Sequence, residues 1–182
     1  MFPLSAPTKT FITTAPWIFK VDTNIELPVS DVWDILNDDG AWSLWLPELT
    51  KIEWKDEVHR EKNSERTITF SDALFNFLLC GSLKLHEEFD DWERDKSLGL
   101  YIKGMNRPNF LTYKCFQEKF LLEAINDKQC KLTRVLALEP GFMTKYVLGC
   151  IIYPYIKNHI TKQCPKRFIK AVAGGKLPRK IN

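Results

Sequence analysis

The sequence predicts an α+β domain, an antiparallel sheet covered on one face by a long C-terminal helix. Three observations predict it. Between residues 49 and 140 the chain reads as successive alternating segments joined by polar turns of hairpin length, HREKNS, ERDKS and NDKQ. After Gly141 the pattern turns helical and runs to about Ala173, where Gly174-Gly175 is expected to stop it. A sheet of about six strands has a face that needs cover, and the terminal helix is the element available to cover it.

The elements follow in order. Residues 1–16 carry two early prolines, several threonines and no period, so they read as an irregular arm. WIFKVDTNIEL, 17–27, alternates as a strand does. Pro28 closes it, and Ser30 is placed to cap a helix over 31–37, with Asp31 in its first turn. The stretch DDGAWSLWLP follows, with Trp42 and Trp45 three residues apart in a segment punctuated like a loop or a second short helix. Strands are expected at 49–58, 65–71, 81–92, 98–105, 109–125 and 130–140. DALFNFLLC, 72–80, reads equally as a strand extension or a small apolar insertion. Pro154 and Pro165 are expected to kink or split the terminal helix. The division expected is therefore an arm at 1–16, a domain at 17–173 and a basic tail at 174–182.

A single domain of 182 residues with 45% hydrophobic and 27% charged residues can bury a sizeable core. Five cysteines, odd in number and without a C-x-x-C pair, argue against a disulfide framework or a structural zinc site. The start of the chain lacks the pattern of a signal peptide, and the most apolar run, 146–156, is too short to span a bilayer. A cytosolic location is expected. There is no phosphate loop, nucleophile elbow or metal-ligand spacing among His59, His86 and His159, so no cofactor or metal is expected.

LPVSDVWDIL, DDGAWSLWLP, EEFDDW, QEKFLLEA about thirty residues on, and LTRVLALEP ahead of a terminal helix occur in an order and spacing that resemble the START-like, helix-grip superfamily. The polyketide cyclase/dehydrase-like branch is the nearest in pattern, and the resemblance covers roughly residues 17–173. It implies a curved antiparallel sheet wrapped around the long C-terminal helix, with a hydrophobic cavity between them. It also implies a lipid, sterol, quinone or polyketide as ligand, in members of which only some are enzymes. It carries over no catalytic residue. The expected activity is therefore binding, and possible transfer, of a hydrophobic small molecule, with a cyclase/aromatase-like enzyme using cavity carboxylates as the alternative.

Strand parity assigns residues to the inner face. Leu85, Glu87 and Phe89 share a face, as do Arg66, Ile68 and Phe70. In 109–125 the same face takes Phe110, Thr112, Lys114, Phe116, Glu118, Phe120 and Leu122, and in 130–138 it takes Leu132, Arg134, Leu136 and Leu138. Together with Trp42, Trp45, Leu100, Ile152 and Ile156 these supply the expected cavity lining. Trp42 and Trp45 either form its wall or plug the core beneath the short helices. A carboxylate facing hydrocarbon must pair or reach water, so Glu87 and Glu118 are expected to meet Arg66 or Arg134 as polar anchors, or to form rim ion pairs.

Charge is distributed unevenly. The first 139 residues carry 17 basic and 23 acidic side chains, net −6, and the remainder carries nine basic and no acidic ones, net +9. Lys157, Lys162, Lys166, Arg167 and Lys170 read either as a solvated helix face or as a docking surface for an anionic membrane. Nucleic acid is not the expected partner, because the aromatic and arginine-rich readers it requires are absent beside these lysines.

Overall fold

The computed structural model describes residues 1–56, 60–71 and 81–173. The apolar stretch 72–80, with Cys80, His59 and the tail 174–182 lie outside the described residues. The strands are β1 (Phe2–Pro3), β2 (Trp17–Ile25), β3 (Leu49–Trp54), β4 (Glu65–Phe70), β5 (Leu83–Glu93), β6 (Ser97–Met105), β7 (Tyr113–Asn126) and β8 (Gln129–Pro140). Helices α1 (Phe11–Thr14), α2 (Val29–Leu36) and α3 (Asp39–Trp45) precede β3. Helices α4 (Phe142–Tyr146), α5 (Gly149–Asn158), a π-helical turn (His159–Gln163) and α6 (Cys164–Ala173) follow β8.

The strands form one antiparallel sheet in the order β2-β8-β7-β6-β5-β4-β3, with β1 added beside the end of β6. Each neighbour from β3 to β8 is the next strand in sequence, as hairpin-length turns dictate. Register shifts between β5 and β6, and between β7 and β8, mark bulges that bend the sheet around the C-terminal helix. The fold is the helix grip anticipated from the sequence.

Several local expectations are corrected. The lead-in 1–16 holds β1 and α1, and Phe11 and Ala15 bury against Cys115 and Ala137 on the outer side of the sheet. Helix α2 begins at Val29, with Pro28 at its N-cap position and no side-chain cap. Ser30 lies inside the first turn, its hydroxyl 3.3 Å from the Asp31 carboxylate, because Pro28 already presets the backbone for helix entry. The capping residue the sequence does provide is Asp38 of α3, whose carboxylate accepts from Gly40 N–H at 2.8 Å.

The terminal helix is interrupted at residues 147–148, ahead of both prolines. From Gly149 to Ala173 it is continuous, accommodating Pro154 within α5 and Pro165 through the π turn. Pro165 has no N–H to offer the carbonyl four residues earlier, so the ladder widens, and Thr161 Oγ1 donates to the Lys157 carbonyl at 2.7 Å. The helix buries Ile152, Ile156, Ile160, Cys164, Phe168 and Ala171 toward the sheet, at helical spacing.

Candidate functional site

Aromatic side chains fill one part of the space between sheet and helix. Trp42 and Trp45 pack in a tilted arrangement with ring centroids 4.9 Å apart, and Trp45 meets Phe120 and Phe168 edge-on at 6.4 and 5.5 Å. Trp54 stacks on Phe89 at 5.4 Å, with Trp92 against both and Trp33 beyond. Trp42 Nε1 donates to the Leu36 carbonyl at 2.8 Å, which ties α3 to α2.

Beside this aromatic layer lies a cavity of about 120 Å3. Strands β4, β5, β7 and β8 supply its walls through Ile68, Phe70, Leu83, Leu85, Phe116, Leu136 and Leu138. The helix contributes Tyr155, Ile156, His159 and Ile160, and Trp42 and Leu46 close it toward α3. Its polar lining groups are Glu48, Glu87, Tyr113, Glu118, Arg134, Tyr155 and His159.

The cavity therefore takes in Trp42, Ile68, Phe70, Leu85, Glu87, Phe116, Glu118, Arg134 and Ile156 from the set read out of the sequence. Trp45, Arg66, Phe89, Leu100 and Ile152 are buried but belong to the packed part of the interior. Parity assigns a face to a strand residue but says nothing of position along the strand; Phe89 and Leu100 are cross-strand neighbours beneath the aromatic layer. Lys114 is exposed and lies 3.5 Å from Glu139, because the bulge between Tyr113 and Cys115 turns it outward. Phe110 is exposed because it lies in the turn ahead of β7, which begins only at Tyr113, and Tyr113, on the near side of the bulge, faces inside.

Each carboxylate of the lining faces a guanidinium. Glu87 accepts from Arg66 Nε at 2.6 Å, Glu118 accepts from Arg134 Nε, and Glu48 accepts from Arg167 Nη1 at 2.8 Å. Arg66 Cζ also lies 4.7 Å from the Trp42 ring and 4.9 Å from Phe89, and Arg134 Cζ lies 5.3 Å from Trp45. Burial pushes the Glu87 carboxyl above its ordinary range despite the opposing Arg66 charge. Burial is the largest influence on Arg134 and opposes its charge, but Glu118 and Cys164 together outweigh it and hold that guanidinium protonated. Burial lowers His159 below the usual imidazole range, so it is neutral near pH 7, and it pushes the Tyr113 phenol and Cys164 thiol up, so both keep their protons.

Glu48, Tyr113, Tyr155 and His159 are lining residues that the sequence reading does not single out. Helical spacing carries a signal for two of them, because Tyr155 and His159 flank Ile156 and Ile160 one turn apart. Glu48 and Tyr113 have none, since one follows a proline turn and the other sits at a bulge. Of the five candidate docking residues, Lys157, Lys162, Lys166 and Lys170 are exposed, whereas Arg167 is engaged by Glu48. No helix among the described residues is long and apolar enough to cross a membrane.

The architecture has counterparts among solved structures. It superposes on a protein from Thermus thermophilus with TM-score 0.65 at 11% identity, covering 87% of this chain and 99% of that one. A START superfamily protein from Mycobacterium smegmatis matches with TM-score 0.58 at 13% identity, covering 86% and 97%. The ZhuI aromatase/cyclase from a Streptomyces species matches with TM-score 0.60 at 7% identity, covering 86% and 95%. An uncharacterized protein of Mycobacterium tuberculosis is 23% identical over 137 residues, 75% of this chain and 74% of that protein. The family model described as polyketide cyclase / dehydrase and lipid transport matches residues 16–145, strand β2 through the start of the C-terminal helical region, and the chain belongs to that family.

Proposed function

We propose that this protein binds a small hydrophobic molecule in the cavity between β4, β5, β7, β8 and helix α5. The observation that carries the reading is a void of about 120 Å3 with a mostly apolar wall whose carboxylates are all matched by guanidinium groups. A cavity of roughly 150 Å3 is known to hold benzene, so this conformation suits one ring or a short alkyl segment and not a tetracyclic ligand. Glu87 and Glu118 are each held by an arginine, which favours an anchoring role over proton transfer. Native mass spectrometry of protein from its own host, together with tryptophan fluorescence titration, tests the reading. Leu136→Phe, which fills the void, is expected to abolish binding without lowering stability. Unchanged binding in that variant would move the ligand elsewhere.

A second reading, reversible docking on an anionic membrane, rests on the exposed Lys157, Lys162, Lys166 and Lys170. Phe142, Tyr146, Val147 and Ile151 add exposed apolar side chains on α4, in the break after it and at the start of α5. Such lysines each contribute ~1 kcal/mol near an acidic leaflet. Reversing all four to glutamate is expected to end co-sedimentation with vesicles of roughly 30:70 phosphatidylserine:phosphatidylcholine. Binding that ignores both acidic lipid and salt would refute it.

A further inference from the structure

Tyr113 is 8% exposed, lines the cavity, and its hydroxyl has no hydrogen-bond partner among the described residues. A buried tyrosine normally pairs its hydroxyl, and an exception calls for an explanation. The carboxylates of the cavity are already matched to guanidinium groups. Glu87, Glu118 and Glu48 lie against Arg66, Arg134 and Arg167 respectively, and the His159 ring stacks on Tyr155 with centroids 6.2 Å apart. Glu48 Oε2 and Arg134 Nη1 also lack partners among the described residues, but packing seals both atoms. The Tyr113 oxygen is not among the sealed atoms. It is thus an unpaired donor, among the described residues, that a ligand in the cavity can use.

The charge balance narrows the ligand further. Three carboxylates and a single guanidinium line the void, and every carboxylate is already neutralised by an arginine. An entering anion would meet no spare cation and would lie among three acidic groups. An entering cation would find no free carboxylate. Charge brought into such a space without a partner is expensive.

We infer that the ligand is an uncharged, apolar molecule bearing an oxygen acceptor, such as a ketone or ether, which takes the hydrogen bond of the Tyr113 hydroxyl. This rests on the cavity-binding reading and specifies the chemistry of its ligand. The phenol supplies the donor, the hydrocarbon walls take the rest of the molecule, and fatty acids and other carboxylates are excluded as the preferred class.

Three probes of nearly equal shape and size separate these possibilities: acetophenone, cumene and benzoate. Each is titrated by calorimetry or by tryptophan fluorescence against the wild-type chain and against Tyr113→Phe. Because the hydroxyl has no partner among the described residues, the Tyr113→Phe variant is expected to keep its melting temperature or gain slightly. Acetophenone is expected to bind the wild type about 5- to 10-fold more tightly than cumene, the worth of one net hydrogen bond. Tyr113→Phe is expected to remove that difference by weakening acetophenone alone, and benzoate is expected not to compete. Equal binding of acetophenone and cumene to the wild type, or an unchanged ratio in Tyr113→Phe, would overturn the role of the hydroxyl. Tightest binding of benzoate would overturn the neutral class. In each of those cases the cavity reading survives. Binding of none of the three, with Leu136→Phe indistinguishable from wild type, would take down the cavity reading and the inference together.

Discussion

Replacing Glu118 by leucine tests the physical basis of the cavity floor most directly. Glu118 and Arg134 are 6% and 8% exposed, lie diagonally across β7 and β8, and share a charge-assisted hydrogen bond. Apart from Glu118, Arg134 has the Trp45 and Phe120 rings, 5.3 and 5.5 Å from Cζ, and no second carboxylate among the described residues, and its Nη1 lacks a partner there. Glu118→Leu therefore strands a buried cation, which costs about 3–5 kcal/mol. With a urea slope of about 2 kcal/mol/M, the midpoint falls by about 2 M. The double variant Glu118→Leu, Arg134→Leu removes both charges and is expected to recover most of that loss. Glu87→Leu is expected to cost less, because Arg66 keeps Asp39 at 3.9 Å and three aromatic faces around its guanidinium. Urea unfolding followed by tryptophan fluorescence reads all four proteins. A single Glu118→Leu variant within about 1 kcal/mol of wild type, or a double variant no better than the single one, would refute the reasoning.

Three further outcomes follow from named contacts. Glu65 is drawn down to a pKa of about 2, first by the hydrogen bond from Lys103 and then by those of Lys55 and His86. Its stabilisation is whole above its ordinary value near 4.5 and is lost as pH falls from there toward about 2, so the melting-temperature gap between wild type and Glu65→Gln should close across that window. His159, held below 6.5 by burial, stabilises the fold fully above that pH and progressively less as pH falls below it, so His159→Phe should flatten the stability profile on the acid side of 6.5. A side chain at position 141 would place its Cβ 2.0 Å from the Asn109 carbonyl oxygen and 2.8 Å from that of Phe110, so Gly141→Ala must pry α4 from the turn before β7. Overpacking of that kind costs about 1–3 kcal/mol, a fall in melting temperature of roughly 2–12 °C by calorimetry.

The strands were legible because alternation and turn chemistry are local. Ile68, Leu85, Glu87, Phe116, Glu118 and Arg134 point inward as a period of two requires. Even the pairing of Glu87 and Glu118 with arginines could be argued, because an unpaired buried carboxylate is too costly to keep. Parity fails where a single residue is inserted, and the bulge at 113–115 is the example: it sends Lys114 out and admits Tyr113. The grouping of Arg167 with the exposed lysines failed for a different reason, since Glu48 lies 119 positions earlier and no local pattern links them. Nor does sequence spacing tell Phe89 and Leu100, which are packed, from Leu85 and Leu136, which face the void. Whether a buried side chain meets a neighbour or a gap depends on the volume of everything across from it.

The two buried ion pairs stand at the boundary between the filled and hollow parts of the interior, and that placement explains why a polar group inside this grip is tolerable. Arg66 lies close to the Trp42, Trp54 and Phe89 rings, while its partner Glu87 lines the cavity. Arg134 is close to Trp45 and Phe120, while its partner Glu118 likewise lines the cavity. The aromatic layer thus supports both guanidinium groups, and each guanidinium neutralises a carboxylate of the lining. An all-hydrocarbon floor would leave the tryptophans free to repack into the void. Fixed charges over their faces resist that collapse, because moving a ring would forfeit its contact with a buried guanidinium that the carboxylate holds in place. The tryptophans and the charges are therefore two halves of one device, which keeps about 120 Å3 open beside a core dense enough to hold the fold.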